Sequence, residues 1–423
     1  MKHTAVYGNT FPEKEKWLQK LLQGGLIPEI KELSGKKGAF FSQVILDKFI
    51  EEDYRHGQSK LVRNNRSLRT FSSGEKKKAL FEYLLQQNPD FLILDDPFDS
   101  LDFQSVTDLK IKITEISRKI PIVQIFKRKE DLFPFIDEVL QVENEKITNI
   151  WSRTRFLEHT SSEEIFSETK NIPAPPAIFE NIPDVLVKLD QVSVKYDGRS
   201  ILNKISWEIK KGEFWKLSGP NGSGKTTLLS MIYGDNPKAY GVDLYLFGNK
   251  KGSGESVWDI KKKIGYFSPN LTELFSRRNT VLEMLVSGLV DSIGLYQKPN
   301  EAELRLAKEW LETIGLEDMQ KKIFTHLPIL QQRMLLIARA MIKHPPLLIL
   351  DEPTTSLGDE SALKITNLIN LIAWESETAV IYVSHRKEKG LKPNFEYELI
   401  PTSKGSIGRA VEKKEISKTG QCG

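Results

Sequence analysis

The sequence predicts an α/β fold built twice in tandem, with the first copy cut short, and three observations predict it. The first is the run Gly219-Pro220-Asn221-Gly222-Ser223-Gly224-Lys225-Thr226-Thr227, which fits G-x-x-x-x-G-K-[ST]. A short apolar stretch, 213–218, reads as a buried strand before it, and a helix starts at Thr226. The glycines let successive backbone N–H groups turn inward around phosphate oxygens, and the helix N-terminus adds its positive dipole end. The second observation is a repeat. Phe91-Leu92-Ile93-Leu94-Asp95-Asp96-Pro97 recurs as Leu347-Leu348-Ile349-Leu350-Asp351-Glu352-Pro353, at an offset of 256 residues (351 − 95). Each is an apolar run ending in acid, the mark of a buried parallel strand that delivers carboxylates at its C-terminal end. The third is that the repeat extends backward. Phe71-Ser72-Ser73-Gly74-Glu75 and Leu327-Pro328-Ile329-Leu330-Gln331 precede their acids by the same distance, and residues 36–42 echo 262–268.

Composition limits the function classes. The chain has 423 residues, 39% hydrophobic and 28% charged, an ordinary globular mix. Its net charge is +4, from 61 Lys and Arg against 57 Asp and Glu, too small to argue for nucleic acid or an anionic membrane as an overall partner. The single cysteine, Cys422, allows no intrachain disulfide and suits a reducing compartment. The N-terminus has no apolar signal core, and no apolar run approaches the roughly 18 residues of a membrane span.

Taken in order, residues 1–150 read as a degenerate α/β domain and 151–183 as a polar, Pro-rich linker, with Ser161-Ser162-Glu163-Glu164 and Pro173-Ala174-Pro175-Pro176. Residues 184–423 read as a domain with a complete core. It opens with antiparallel strands at 185–189 and 192–196, turned at Asp197-Gly198. Residues 271–345 read mainly as helices. A hairpin with Gly405 in its turn region and a frayed polar tail close the chain. Gly252-Ser253-Gly254 lacks the strand-turn-helix setting of a dinucleotide motif and reads as a hairpin turn.

These residues resemble the ABC-type ATPases, and the resemblance covers nearly the whole chain. The second half carries the Walker A loop at 219–227, Walker B at 347–352, a D-loop at 356–359 and a switch histidine in Val383-Ser384-His385. Among tandem ABC proteins it is most similar to the molybdate-transport-associated ModF family. That likeness rests on residues 235–241, 252–262 and 287–297. The resemblance implies two ABC-type, P-loop NTPase nucleotide-binding domains in tandem, each with an α/β core and a helical subdomain, and ATP and Mg²⁺ as cofactors. It implies that Lys225 reaches the β- and γ-phosphates, that Thr226 and Asp351 hold Mg²⁺, and that Glu352 deprotonates the attacking water. His385 would then sense the γ-phosphate, and Tyr196 would stack on adenine unless it is a core tyrosine. One position departs from the family: Ser268-Pro269-Asn270 follows the Tyr266-Phe267 strand where a Gln is usual, which weakens conventional coupling to a membrane domain.

The halves lack complementary parts. Residues 1–70 contain no Walker A sequence. Only 41 residues separate Met1 from Ser42 (42 − 1), against 72 from Tyr196 to Ser268 (268 − 196), so a nucleotide-facing strand and its loop are expected to be missing. Asp96 stands where Glu352 stands, and Lys127 aligns with His385. Conversely, the first signature keeps Ser72 and Gly74, whereas in the second Pro328 has no N–H to give and Ile329 and Leu330 add side chains. Both losses fall on one composite site of a head-to-tail pair. The sequence therefore predicts intrachain pairing, with one working site built from 219–227 and from Ser72 and Gly74. The expected function is ATP hydrolysis for a molybdate-type transport system with a separate membrane permease. The alternative is a soluble regulatory or translation-linked ATPase switch. The expected location is cytoplasmic, peripheral at the inner face of the plasma membrane if a permease is bound. The cations Lys60, Arg63, Arg66, Arg69, Lys76, Lys77 and Lys78 around the first signature read as a solvated helix face, with attraction of the ATP phosphates, or an RNA or protein docking surface, as the alternatives.

Overall fold

Apolar runs that end in acid or polar residues become the inner strands of two parallel sheets. The computed structural model describes residues 1–8, 33, 35–56, 61, 67–143, 146–158, 171–177, 179–275, 278–295 and 297–412. Lys60, Arg63, Arg66, the Arg69 side chain, Ser161-Ser162-Glu163-Glu164 and the polar tail with Cys422 lie outside the described residues. The chain forms two units. One is Met1–Ile165 with Ser356–Glu360, the other Phe166–Thr355 with Ser361–Gly423.

The first unit contains β1 (Thr4–Tyr7), β2 (Gly38–Phe41), α1 (Gln43–His56), α2 (Ser73–Gln86), β3 (Phe91–Asp95), α3 (Phe103–Ser117), β4 (Ile122–Phe126), β5 (Glu138–Glu143), β6 (Lys146–Ser152) and α4 (Arg153–Glu158). Its sheet runs β2-β3-β4-β1-β5-β6, parallel except for the last pair. β3 and β4 are buried on both faces. Leu92 and Leu94 join one apolar cluster, while Phe91 and Ile93 join another. Such two-sided burial requires the unbroken apolar runs seen in the sequence.

The second unit contains β7 (Val185–Tyr196), β8 (Arg199–Lys210), β9 (Phe214–Ser218), α5 (Lys225–Tyr233), β10 (Leu244–Leu246), β11 (Asn249–Lys250), α6 (Val257–Lys262) and β12 (Ile264–Phe267). It continues with α7 (Leu271–Leu274), α8 (Val281–Val286), α9 (Glu301–Thr313), α10 (Ile329–Met341), β13 (Leu347–Asp351), α11 (Asp359–Glu375), β14 (Ala379–Val383), β15 (Phe395–Ile400) and β16 (Ile407–Glu412). Residues 356–360, which include the start of α11, belong to the first unit. The main sheet, β12-β13-β14-β9-β15-β16, repeats the order of the first unit strand for strand. A second sheet, β11-β10-β7-β8, is antiparallel. Trp207 of β8 stacks on Tyr397 of β15 at 4.4 Å and meets Trp215 of β9 edge-on at 5.5 Å, so aromatic packing joins the two sheets. The Tyr397 hydroxyl also donates to the Ser206 carbonyl at 2.9 Å.

The structure corrects three expectations. β1 occupies the place in the first sheet that β9 occupies in the second, between the counterparts of β14 and β15, so the nucleotide-facing strand is present. What the described residues of the first unit do lack is an antiparallel sheet like β11-β10-β7-β8. Residues 151–158, read as linker, are the end of β6 and helix α4. Phe156 is 4% exposed and packs against Tyr7 and Phe126, contacts that polar flanking sequence does not reveal. The two short strands expected at 185–189 and 192–196 are one strand, β7. Its register shifts around Gln191, which takes φ +49° and donates its N–H to the Ser206 hydroxyl. Among the described residues, no helix is long and apolar enough to cross a membrane.

Gly288, in the Ser287–Val290 turn after α8, has no room for a side chain, because a Cβ would run into the Arg339 carbonyl oxygen of α10. Gly288→Ala is expected to destabilise the protein by about 1–3 kcal/mol. Urea unfolding followed by tryptophan fluorescence measures it, and an unchanged midpoint would contradict this packing.

Candidate active site

Three neighbouring parallel strands of the second unit carry the candidate residues. In the sheet β13 lies beside β14, and β14 beside β9. Asp351 pairs with Val383, and Val383 with Leu217. The acids that end β13, the Ser384-His385 step after β14 and the loop after β9 therefore leave the sheet at the same edge. Parallel α/β sheets gather ligands there, beyond the carboxyl ends of their strands.

The loop after β9 is shaped by its glycines. Gly219 has φ +145°, and a Cβ there would lie 2.7 Å from the Leu399 carbonyl oxygen. Gly224 caps α5 with φ +96°, and a Cβ would lie 2.7 Å from Leu202 Cδ2. Pro220 and Asn221 continue the loop to Gly222, itself at φ +76°. Lys225 is 8% exposed, and its ammonium donates to the carbonyls of Gly219 at 2.7 Å and Pro220 at 3.0 Å. Ser223 is fully buried, and its hydroxyl has no hydrogen-bond partner. Thr226 is exposed and Thr227 half-buried in the first turn of α5. A helix N-terminus with an ammonium and an unsatisfied hydroxyl beside it fits a polyphosphate.

Opposite lies a short chain of hydrogen bonds. His385 Nδ1 is 3.1 Å from Glu352 Oε1, and the Thr355 hydroxyl donates to Glu352 Oε2 at 3.1 Å. His385 Nε2 is buried with no partner. Burial and the neighbouring Glu352 charge push the Asp351 pKa up to about 6, with Lys225 pulling the other way. For Glu352 burial acts upward too, but the His385 hydrogen bond and charge, the Thr355 hydroxyl and Lys225 outweigh it, and its pKa is lowered. Lys225 thus acts on both carboxyls, which ties loop and acids into one electrostatic site. Among the described residues no group of three or more His, Cys, Asp or Glu is placed to hold a metal ion by itself. Mg²⁺ needs none where one carboxylate, one hydroxyl and nucleotide phosphates can share it.

Tyr196 is half-buried at the end of β7. Its hydroxyl lies 2.8 Å from Asn236 Nδ2, and the same amide donates to Ser230 of α5 at 3.0 Å. The ring is thereby tied to the helix that starts at Lys225. Sequence reasoning missed Asn236 and Thr355. Asn-Pro is a turn-forming pair, but nothing in Asn236-Pro237 points to Tyr196. Ser268 directly follows β12.

The first unit repeats this frame with different chemistry. Positive φ recurs at the 256-residue offset: Asn88 and His344, Asp96 and Glu352, Ser100 and Ser356. Where His385 meets Glu352, Lys127 Nζ forms an ion pair with Asp96 at 2.9 Å. Burial opposes the lysine's charge, but Asp96, Asp99 and Asp95 outweigh it and hold its pKa above the ordinary lysine value. At the end of β1, Tyr7 packs against Phe126 and Phe156. Ser72 caps α2: its hydroxyl accepts the Glu75 N–H at 3.2 Å, and its own N–H donates to the Glu75 carboxylate at 2.7 Å. Gly74 lets α2 approach α3, because a Cβ would sit 2.5 Å from the Ser105 hydroxyl. In the second unit Pro328 precedes α10 with no side-chain cap, and Ile329 is 51% exposed.

The ABC transporter family profile matches residues 202–355. The chain is 35% identical to the ABC transporter ATP-binding protein ModF of Escherichia coli (strain K12), over 77% of this chain and 68% of ModF. It is 32% identical to an uncharacterized ABC transporter ATP-binding protein of Schizosaccharomyces pombe, over 76% of this chain and 66% of that one. It thus spans about two thirds of the length of both relatives. Among solved structures it is similar in fold to a chain in a model of ribosome-bound archaeal Pelota and ABCE1. The TM-score there is 0.65 at 17% identity, covering 97% of this chain and 75% of the other.

The raised pKa of Asp351 has a consequence for the metal-free, nucleotide-free protein. Between the ordinary 3.8 and about 6 the folded carboxyl keeps a proton that the unfolded one has lost. Stability contributed there falls as pH rises through that window, and above it the buried charge is a cost. Asp351→Asn is therefore expected to raise Tm at pH 7.5 in EDTA and to give no gain below about pH 4. Calorimetry across pH measures this, and a lower Tm at pH 7.5 would contradict it.

Proposed function

The chain belongs to the ABC transporter ATP-binding protein family, and from that premise we propose that it hydrolyses ATP at a single composite site. In this reading the loop 219–227 of the second half works with Ser72 and Gly74 of the first. The observation that carries it is complementary loss. The second unit keeps the Glu352–His385 pair beside Lys225 but starts α10 with Pro328 and no side-chain cap. The first keeps the Ser72 cap but has a Lys127–Asp96 ion pair in place of base and histidine.

Lys225 and the loop N–H groups bind the β- and γ-phosphates of the substrate, and Tyr196 offers its ring to the adenine. Thr226 and Asp351 hold Mg²⁺, which when bound offsets phosphate charge. Glu352, kept ionised by its neighbours, accepts a proton from the attacking water. His385 orients Glu352 through Nδ1 and turns its unpartnered Nε2 toward the γ-phosphate. Ser72 and the α2 N-terminus complete the phosphate contacts. By resemblance to the ModF family, the work done is for a molybdate-type uptake system, in the cytoplasm, with the permease a separate polypeptide. Ser268 in place of the usual Gln makes that coupling looser than in ordinary importers.

Glu352→Gln is expected to lower turnover by about 10²–10⁴-fold, the range of a lost general base. An undiminished rate would remove the enzyme reading. Ser72→Arg should abolish turnover while changes at 328–330 have little effect; the reverse result would overturn the pairing. Affinity purification of the Glu352→Gln protein with bound nucleotide tests the partner. A permease supports transport, and ribosomal proteins or RNA point instead to a soluble switch.

A further inference from the structure

We propose that Arg333 is a positioning residue for Glu352: its guanidinium braces the left-handed turn from which the Glu352 carboxylate projects. The proposal rests on the reading of Glu352 as general base. Glu352 has φ +49°, a conformation in which Cβ crowds the backbone. Such a residue persists only when its surroundings over-determine it. Here the Glu352 N–H donates to the Val383 carbonyl at 3.0 Å, and the Thr355 N–H donates to the Glu352 carbonyl at 3.3 Å. Arg333 supplies the third restraint. One Nη1 nitrogen donates to the Pro353 carbonyl at 2.8 Å and to the Glu352 carbonyl at 3.3 Å.

Arg333 is 5% exposed, in the second turn of α10. A buried guanidinium stays charged and offsets its lost hydration through carbonyl hydrogen bonds. It therefore grips the turn at the two carbonyls that set the direction of Glu352. If the turn relaxed to the right-handed region, the carboxylate would swing away from His385 and Thr355, the two groups that hold it in place.

The first unit supplies an internal comparison. Lys77 stands at the same offset, 4% exposed on α2, and donates to the carbonyls of Pro97 at 3.3 Å and Asp99 at 2.6 Å. Asp96 there also has positive φ, +42°. Both units therefore brace the turn from the helix behind their signature. These two Lys77 bonds fall on residues after Asp96. The Arg333 bonds include the carbonyl of the carboxylate-bearing residue itself, in the unit that keeps a catalytic pair.

Steady-state ATPase kinetics of wild type, Arg333→Met, Glu352→Gln and the double variant test the role. Arg333→Met should lose about tenfold or more in kcat, with KM for ATP changed less than about threefold, and should cost nothing further beside Glu352→Gln. Arg333→Lys retains a donor, as Lys77 does, and should recover much of the rate. It also serves as the informative variant if the methionine protein does not fold. Wild-type kcat in Arg333→Met, or an equal loss in both Glu352 backgrounds from either Arg333 variant, would overturn the proposal and leave the general-base reading standing. Glu352→Gln at wild-type speed would instead remove that reading, and this inference with it.

Discussion

The parallel pairing of β13, β14 and β9 is the constraint on which the second unit's chemistry depends. Hydrogen-bonded register puts Asp351, Val383 and Leu217 in one row, and each strand releases its chain at the same edge. A carboxylate pair, a histidine and a glycine loop, far apart in sequence, become neighbours without any long side chain having to reach. The strands hold that register because their residues are buried on both faces, and a shift of one would turn every side chain over. Local features then tune the row. Left-handed φ at Glu352 aims its carboxylate, His385 and Thr355 hold it, and Lys225 biases both acids.

The same frame in the first unit separates folding from chemistry. Strand order, the three left-handed positions and a buried cation braced against the post-acid turn are all retained. What the two units share serves the fold, since the turn must reverse direction whatever the side chain does; only in the second does the brace reach the carbonyl of the carboxylate-bearing residue, Glu352. The Lys127–Asp96 pair and the aromatic cluster of Tyr7, Phe126 and Phe156 stand where the second unit has its candidate reactive groups. In the Lys127–Asp96 pair each partner offsets the other's desolvation.

Much of this was legible in the sequence because the signals were local. Walker A spacing, acid-terminated apolar runs and a signature with or without Ser and Gly each lie within a dozen residues. The errors arose where meaning depended on distant partners. β1 has four residues, Thr4–Tyr7, with no glycine loop of the right spacing, and only its pairing with β4 and β5 identifies it as the counterpart of β9. Helix α4 lay in a stretch whose polar neighbours suggested a linker, and Phe156 revealed its place only through Tyr7 and Phe126. Lys77 sat in a cationic run that read as solvated, yet it is buried against two carbonyls.

The sequence by itself determined the fold class, the tandem repeat, the identity of the candidate reactive groups and which half lacks which motif. Periodicity, motif spacing and residue chemistry are properties of short segments, readable wherever they occur. The tertiary structure alone decided that the first unit keeps its central strand and, among its described residues, lacks the antiparallel sheet. It also decided that Lys127 closes on Asp96, and that Asn236, Thr355 and Arg333 support Tyr196 and Glu352. Each of those results is a contact between residues remote or unremarkable in sequence. Such contacts are set by strand order and by which carbonyls and carboxylates are left needing a partner once the sheets have formed.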